Sequence, residues 1–248
     1  MDRSLYVAMS GAKQTLMAQT TNANNLANAQ TSGFKSDFEQ FRSQSVFGPG
    51  YPTRVYAMSE RPGTDMTPGG LQTTENPLDV AIKGEGWIAV QDATGQEAYT
   101  RAGDLKVTTD GLLQTNAGLP VQGNGGPIAL PPFDKISIGQ DGSISIIPLG
   151  GGSTAMTVVD RIKLVTPDNA DLEKMDDGLM HLKPTVQKKP EPDADVQLVQ
   201  GALEGSNVSA VTAMVEMIEL ARNFELQTKV MRTVDENSAA SAKLMKMS

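Results

Sequence analysis

The stretch from residue 206 to residue 248 contains neither glycine nor proline, and its apolar residues recur at the spacing of a coiled-coil seam. Alternating steps of four and three residues pass mostly through apolar positions, namely Ala210, Met214, Met217, Ala221, Phe224, Thr228, Met231, Asp235, Ser238, Ala242 and Met245. This pattern predicts a helix of about ten turns, roughly 55 Å long at ~1.5 Å per residue, with Ser206 as its N-cap. A helix of that length cannot bury its seam on a small globular domain, so it must pack against other helices.

The N-terminal segment has a matching pattern over residues 3–28. Steps of four and three residues visit a second seam, made of Leu5, Met9, Ala12, Leu16, Gln19, Ala23 and Leu26. Gly33 is a stop signal for this helix, and Gly11 is the residue within it that helix propensity favours least. The two terminal helices are predicted to pack with each other, and the same seams are candidate contacts with other subunits.

The end of the first helix carries an unusual group of uncharged amides in the sequence ANNLAN. Asn24, Asn25 and Asn28 fall on one side of a helical wheel, although asparagine is a poor residue for a helix interior. A fraying last turn accounts for Asn28 but not for the two earlier residues. Because an amide both donates and accepts hydrogen bonds, we expect this face to contact neighbouring subunits.

The middle of the chain has the short alternating runs and turn residues of antiparallel β structure. The strongest hairpin signal is ISIGQDGSISI, in which Asp141-Gly142 supplies the turn. The predicted fold class is α+β, with coiled-coil-forming terminal helices packed together, an inserted, mainly antiparallel β domain and an extended arm. The predicted boundaries are 1–34 for the first helix, 35–77 for the arm, 78–195 for the β domain and 196–248 for the long helix.

The composition argues against several classes of function. There is no cysteine, and His181 is the only histidine, so zinc sites and nucleophilic triads have almost no candidate residues. A formal net charge of -8 argues against nucleic acid as a general partner. The glycine strings at 84–86, 123–126 and 150–152 do not match a phosphate-binding loop and read as turns. We therefore predict no catalytic, metal-binding or cofactor-binding residues, no small-molecule substrate and no enzymatic activity.

Three ordered motifs resemble the rod and hook family of flagellar axial proteins. They are MDRSLYVAMSGAKQ with NANNLANAQTSGFKSD, NPLDVAIKGEGWIAV with YTRAGDLKVTTDGLLQTNAGLPVQG, and QGALEGSNVSAVTAMVEMIELARNFELQTKVMR. Within that family, the opening DRSLYVAMSGAK is most similar to proximal rod subunits. Hook subunits usually carry a further β domain, for which this chain has no room.

The resemblance implies a structural subunit of the proximal rod, which polymerises with other rod proteins and with copies of itself around the export channel. It implies export by the flagellar type III apparatus into the periplasmic rod, in agreement with the lack of a cleavable signal peptide or a membrane-spanning segment. The expected assembly contacts are Leu5, Met9, Leu16, Asn24, Asn25, Leu26, Asn28, Met214, Met217, Ala221, Phe224 and Met231. The alternatives are a distal rod or hook-type subunit, a periplasmic assembly adaptor and a peptidoglycan-acting enzyme.

Overall fold

The computed structural model describes residues 3–45, 55–150, 155–186 and 188–246 of the chain. Two long helices lie at the two ends, α1 (Arg3–Ala27) and α2 (Ala210–Lys246). The strands between them are β1 (Asp37–Ser45), β2 (Val55–Thr64), β3 (Leu71–Thr73), β4 (Val80–Lys83), β5 (Trp87–Gln91), β6 (Glu97–Thr100), β7 (Leu105–Val107), β8 (Leu113–Thr115), β9 (Phe133–Ile138), β10 (Ser143–Pro148), β11 (Thr157–Arg161), β12 (Leu164–Val165), β13 (Leu172–Lys174), β14 (Met180–Leu182), β15 (Gln197–Gln200) and β16 (Ala202–Glu204).

The strand pairs are antiparallel, which confirms the α+β class. The chain divides into two compact units. The helical unit comprises Met1–Ala29, Ser36–Asp65 and Val208–Ser248, and the β unit comprises Gln30–Lys35 and Met66–Asn207. These bounds differ from the predicted ones, because the arm contributes to both units and the segment 196–207 belongs to the β unit.

Helix α2 has the predicted length but starts later than expected. The hydroxyl of Ser209, and not of Ser206, accepts hydrogen bonds from Thr212, at 3.4 Å from its backbone N–H and 3.0 Å from its hydroxyl. Ser209 is therefore the N-cap. The shift has a tertiary cause: the residues before it form β15 and β16, and the chain leaves these strands only at Glu204.

The segment predicted as an extended arm contains a long β-hairpin. Strands β1 and β2 pair antiparallel over their whole length, with a register irregularity between Phe38 and Gln40. Pro62 lies opposite this irregularity, where the ladder does not need its missing N–H. The prolines and glycines of residues 55–77 led to the prediction of an extended arm, but β2 accommodates Pro62 and Gly63 within a strand. Residues 46–54, which connect the two strands, lie outside the described residues, as do 151–152 of the glycine string that was predicted to form a turn.

The β unit is built from short antiparallel sheets. The largest has the strand order β12-β5-β6-β14-β13, and a second has the order β11-β10-β9. The hairpin predicted from ISIGQDGSISI is present as β9 and β10, with Gly142 at φ +83° in its turn. The run MTVVDRIKLVT, predicted as one strand, forms β11 and β12 in two different sheets. Fully buried aliphatic side chains from several of these strands, among them Ile88, Leu113 and Ile144, fill the main core.

The two ends of the β unit meet inside it. Strand β15 pairs with β4 and β16 pairs with β3, so the last strands return to the first ones. The backbone N–H of Gly33 donates to the carbonyl of Glu204 at 2.8 Å. Gly33 has φ +67°, and a Cβ there would lie 2.3 Å from the backbone of Arg101 and Ala102. Only glycine fits this position, which brings the residues after α1 next to the strand that leads into α2.

Candidate assembly interface

Helices α1 and α2 pack side by side and antiparallel within the helical unit. The side-chain amide of Asn22 donates to the carbonyl of Ala213 at 2.7 Å, and both residues are buried. Gly11 lies eleven residues before Asn22 on α1, and the side chain of Gln227 packs over it. The nearest atoms of Gln227 are 3.1 Å from where a Cβ on residue 11 would stand. Gly11 therefore has a packing role, because its missing side chain makes room for Gln227.

The face of α1 that packs within the chain is made of small and polar residues. Ala8, Ala12 and Asn22 are buried, whereas Met9 and Leu16, both predicted seam residues, are 54% and 53% exposed. Leu5 and Leu26 are half-buried. The side of α1 that packs within the chain thus keeps the predicted spacing. At alternate positions, however, the buried residue is the one before the predicted residue, as with Ala8 in place of Met9.

Helix α2 shows the same displacement. Ala213 is buried in the place expected for Met214, which is 53% exposed. The other predicted contacts on α2, Met217, Ala221, Phe224 and Met231, are half-buried. Because a helix turns by about 100° per residue, the positions of the exposed apolar residues around the helix axis can be compared with that of Ala213. They form a second group, on the side of α2 opposite Ala213. This group, which we name the outer face, consists of Val211, Met214, Val215, Ile218, Leu226 and Val230, all between 48% and 74% exposed.

The outer face is an unusual feature for a helix surface. Single exposed apolar residues are ordinary, but six exposed apolar side chains on one side of a helix indicate a surface that binds another protein, although charged residues such as Arg222 lie among them. The predicted seam contained only Met214 of the outer face and missed Val211, Val215, Ile218, Leu226 and Val230, because the strict spacing assigned the apolar positions to one narrow line. The signal that could have found them is the width of the apolar stripe, which is greater than one seam requires.

The last turns of α2 extend past the end of α1. Because Asn22 faces Ala213 and Gly11 faces Gln227, the antiparallel pairing reaches the first residues of α1 near residue 236. Beyond that point every described side chain of α2 is exposed, including Leu244 at 72% and Met245 at 74%. Residues 237–246 are therefore a helical overhang of roughly 15 Å, on which the apolar side chains of Leu244 and Met245 are exposed.

The asparagines of ANNLAN have different roles. Asn25 holds the start of β1: its Nδ2 donates to the carbonyl of Asp37 at 2.6 Å, and its Oδ1 accepts from the N–H of Asp37 at 2.9 Å. Asn28 donates to the carbonyl of Asn24 at 3.0 Å within the last helical turn. Asn25 thus bonds the arm of its own chain, and the subunit contacts expected for Asn24, Asn25 and Asn28 stay predictions.

Replacing Asn25 with alanine should loosen the junction between α1 and β1. The substitution removes both hydrogen bonds that Asn25 makes to the part-buried backbone of Asp37, at a cost of about 1–3 kcal/mol. Hydrogen exchange should show protection of the α1 and β1 amides lowered by tenfold or more. Asn24→Ala is the matched control and should leave protection unchanged. Equal protection in the two variants would contradict the role given to Asn25.

A buried charged cluster holds the converging ends of the β unit. The Oε1 atom of Glu204 accepts from Lys35 Nζ at 2.6 Å and from the N–H of Gly69 at 3.0 Å. Its Oε2 accepts from Arg101 Nη1 at 2.9 Å. The three charged side chains are only 1–4% exposed. We name Lys35, Arg101 and Glu204 the charged cluster.

The cations of this cluster have further partners. Lys35 also donates to the carbonyl of Thr67 at 2.8 Å, and Arg101 donates to that of Gly84 at 2.9 Å. The guanidinium of Arg101 lies 5.4 Å from the centre of the Trp87 ring, within cation–π range. The cluster therefore joins the three chain segments that lead into the helical unit, at residues 35, 67–69 and 204.

The electrostatics of the cluster favour an ionised Glu204. Burial by itself would raise the pKa of the Glu204 carboxyl, but the hydrogen bonds from Lys35 and Gly69 and the charges of Arg101 and Lys35 outweigh it. The pKa of Glu204 therefore lies below its ordinary value. An ionised carboxylate between two cations is the state in which this buried site is balanced.

One group of side chains has the composition of a metal site. Donor atoms of Asp92, Asp177 and His181 lie within 4.8 Å of one another, with His181 on β14 and its Nε2 at 2.9 Å from Asp177 Oδ2. Hydrogen bonds within the chain already account for the geometry: Asp92 Oδ1 accepts from the N–H of Thr94, and Asp177 Oδ1 from that of Leu179. Exposed acidic groups are common without a metal, so we assign no ion here. Among the described residues, no helix is both long and apolar enough to cross a membrane.

Three family models match the chain in order. Residues 5–35 match the model described as flagella basal body rod protein, and residues 81–146 match the flagellar hook protein FlgE/F/G D1 domain. Residues 199–244 match the flagellar basal body rod FlgEFG protein C-terminal model. The first and last matches include most of α1 and α2.

Full-length relatives show the same relationship. The chain is 43% identical to the flagellar basal-body rod protein FlgF of Escherichia coli (strain K12) and 42% identical to that of Salmonella typhimurium (strain LT2), with 100% of each chain covered. It is 32% identical to the flagellar basal-body rod protein FlgG of Bacillus subtilis (strain 168), over 94% of this chain and 96% of that one. The chain therefore belongs to the FlgF family of flagellar basal-body rod proteins.

Proposed function

We propose that this chain is a structural subunit of the proximal rod, which polymerises with other rod proteins and copies of itself into the drive shaft around the export channel. The observation that carries the proposal is the full-length similarity to FlgF proteins, without a gap in coverage at either helix. The family is structural and not enzymatic, which leaves a peptidoglycan-acting enzyme without support.

The helical unit supports a role in polymerisation. The outer face and the overhang offer apolar side chains on two separate parts of one helix. Burying a Leu, Ile or Met side chain contributes about 1.5–3 kcal/mol, so a few such residues can supply most of a stable contact. Contacts between two different surfaces, repeated by a rotation that does not close, build a helical filament and not a ring.

The exposed positions of Met9, Leu16, Met214 and Asn24 fit the same assignment. Each was expected at an assembly contact, and each is exposed on the single chain. The half-buried residues Leu5, Leu26, Asn28, Met217, Ala221, Phe224 and Met231 would support assembly in a different way, by keeping α1 and α2 together. Asn25 supports it through the anchored start of β1.

Export through the flagellar type III apparatus into the periplasmic rod is part of the proposal. The support is the relatives' description as basal-body rod proteins. The absence of cysteine also suits a chain that is exported unfolded. An export-apparatus deletion should retain the chain in the cytoplasm.

Two other positions in the flagellum compete with the proximal rod. A distal rod subunit is the nearest alternative, but the identity to FlgG proteins is 29–32%, against 43% to FlgF of Escherichia coli. An assembly adaptor that leaves after completion is the second. Purified basal bodies test the adaptor alternative: a rod subunit stays in the basal body after detergent extraction, in contact with rod proteins, whereas an adaptor is absent.

The direct experiment is complementation. Deleting the gene should stop rod assembly and swimming, and the full chain with an epitope tag should restore both and be retained in purified basal bodies. A strain that swims without the chain, or basal bodies that lack it, would contradict the proposed function.

A further inference from the structure

The helical unit contains a recess whose chemistry points to a specific kind of partner. It lies between the C-terminal half of α1, the start of β1 and α2, and it encloses about 290 Å³. The residues that line it are Ala18, Thr21, Asn22, Asn25, Asp37, Phe38, Glu39, Glu216, Glu219, Leu220 and Asn223. Four of these are acidic, and none is Lys, Arg or His.

The recess holds a buried acceptor that has no donor. The Oε2 atom of Glu39 is buried and lacks a hydrogen-bond partner, whereas its Oε1 accepts from the hydroxyl of Thr21 at 3.2 Å. A buried carboxylate oxygen without a donor is costly, and such an atom in a native protein is normally paired. Glu216 and Glu219 add two further carboxylates at the exposed side of the recess.

Most donors in the lining are already used within the chain. Asn22 is only 5% exposed, and its Nδ2 donates to the carbonyl of Ala213. The Nδ2 of Asn25 donates to the carbonyl of Asp37. What remains is mainly acceptor capacity, concentrated on Glu39, Glu216 and Glu219. The group that satisfies such a site is a cation with several N–H donors, which is a lysine ammonium or an arginine guanidinium.

We propose that this recess binds a lysine or arginine side chain from the C-terminal helix end of an adjacent axial subunit. The inference rests on the proposed function, since it needs neighbouring subunits. The chain's own α2 shows the chemistry of such an end, because Lys243 is followed by the exposed apolar residues Leu244 and Met245. Related axial subunits carry a corresponding segment, since the matched C-terminal model is shared by FlgE, FlgF and FlgG.

The surroundings of the recess complement such an end. Val215 lies four residues before Glu219 and Leu226 lies three residues after Asn223, which places both beside the acidic rim of the recess on the helix surface. Both are more than half exposed. An incoming helix end could therefore place its cation against the carboxylates and its apolar residues against this rim.

The positions along the helices also fit an end-to-end contact. The recess lies at the end of the helical pair that holds the C-terminus of α1, and the overhang lies at the opposite end. Subunits stacked along one axis bring the overhang of one next to the recess of another. The two surfaces differ, so the contact does not close on itself and can continue along a rod.

The test uses the absence of cysteine from the chain. An Asn223→Cys variant carries a single thiol at the recess, which a photoreactive crosslinker can label in purified basal bodies. Mass spectrometry of the crosslinked peptides should identify the C-terminal helix of a rod subunit. Glu219→Lys in the same chain should lower the yield at least tenfold, whereas the control Glu191→Lys, an equal charge reversal at an exposed position of the β unit, should change it less than twofold.

Each result supports or contradicts the proposal. A crosslink to a ring protein or to another segment, or a yield unaffected by Glu219→Lys, would overturn it. So would a crosslink that disappears when EDTA is added, because the occupant would then be a divalent cation. If Glu219→Lys prevents incorporation, Glu219→Gln replaces it and should lower the yield about threefold. Basal bodies that contain the chain but give no recess crosslink contradict this inference alone, and basal bodies that lack the chain contradict the proposed function.

Discussion

Replacing Glu204 with glutamine should destabilise the β unit more than any other single substitution by an uncharged residue that we propose. Lys35 and Arg101 would keep their buried positions without the carboxylate that balances them, and removing one partner of a buried ion pair costs about 3–5 kcal/mol. For a chain of this size, that corresponds to a melting temperature lower by roughly 6–20 °C. Trp87 is the only tryptophan and lies beside Arg101, so its fluorescence reports the unfolding of this unit directly.

The same substitution should change how stability depends on pH. The folded pKa of Glu204 is below the ordinary value of 4.5, so its contribution is fully present above about pH 4.5 and is lost as the pH falls through the folded pKa. The difference in unfolding free energy between the natural chain and Glu204→Gln should be constant near neutral pH. It should shrink below about pH 4.5, where acid protonates the natural carboxylate.

Two further variants make the test specific. Glu191→Gln removes a carboxylate whose ion pair with Lys188 is exposed, and it should leave the Trp87 melting midpoint unchanged. Adding Lys35→Met to Glu204→Gln removes one of the two buried cations that had the Glu204 carboxylate as a partner, and it should recover part of the lost stability. A Glu204→Gln midpoint within error of the Glu191→Gln control would contradict the structural role of the charged cluster.

An aspartate on the outer face of α2 should abolish swimming while leaving the single chain intact. Ile218 and Leu226 are 56% and 60% exposed, so Ile218→Asp and Leu226→Asp remove little packing within the chain. In the rod, each change would forfeit about 1.5–3 kcal/mol of apolar burial and would add the cost of burying a charge. Because the loss repeats at each contact, incorporation into basal bodies should fall at least a hundredfold, although export continues.

A substitution on the side of α2 that packs within the chain distinguishes an effect on assembly from an effect on folding. Phe224→Asp changes a half-buried residue that packs within the helical unit, and it should lower both the helix content of the free chain and its incorporation. Glu225→Gln, an exposed change on the same helix, should alter neither. Normal swimming of strains carrying Ile218→Asp and Leu226→Asp would show that the outer face is not an assembly contact.

The helices were predictable because their signal is long and local. The seam spacing and the lack of glycine and proline in 206–248 predicted both the existence and the length of α2. The exact seam was not predictable in this way, because Ala213 and Met214 are adjacent and both apolar. Which of them faces α1 depends on how closely the two helices approach. The side chain of Asn22 reaches the backbone carbonyl of residue 213 at 2.7 Å, and this close approach favours the small side chain of alanine there.

Non-local pairing explains most of the differences in the remainder of the chain. The hairpin of β9 and β10 was predicted from its own turn, but the partners of β15 and β16 lie more than a hundred residues earlier in the chain. The strands β1 and β2 were missed because prolines and glycines in 48–77 outweighed the alternation within each strand. The segment 46–54 that connects them lies outside the described residues.

The charged cluster and the recess had no sequence signal at all. Lys35, Arg101 and Glu204 are ordinary charged residues in the sequence, and only the convergence of three segments buries them together. Glu39, Glu216 and Glu219 are likewise distant from one another along the chain or lie on an ordinary polar helix face. Their joint acceptor character becomes visible only when α1, β1 and α2 are placed side by side.

A cryo-EM map of purified basal bodies tests the central claim most directly. We expect density for this chain in the proximal rod, with Ile218 and Leu226 of the outer face against neighbouring subunits and Asn22 paired with Ala213 inside the chain. A rod without the chain, or a rod in which Ile218 and Leu226 face solvent, would contradict it.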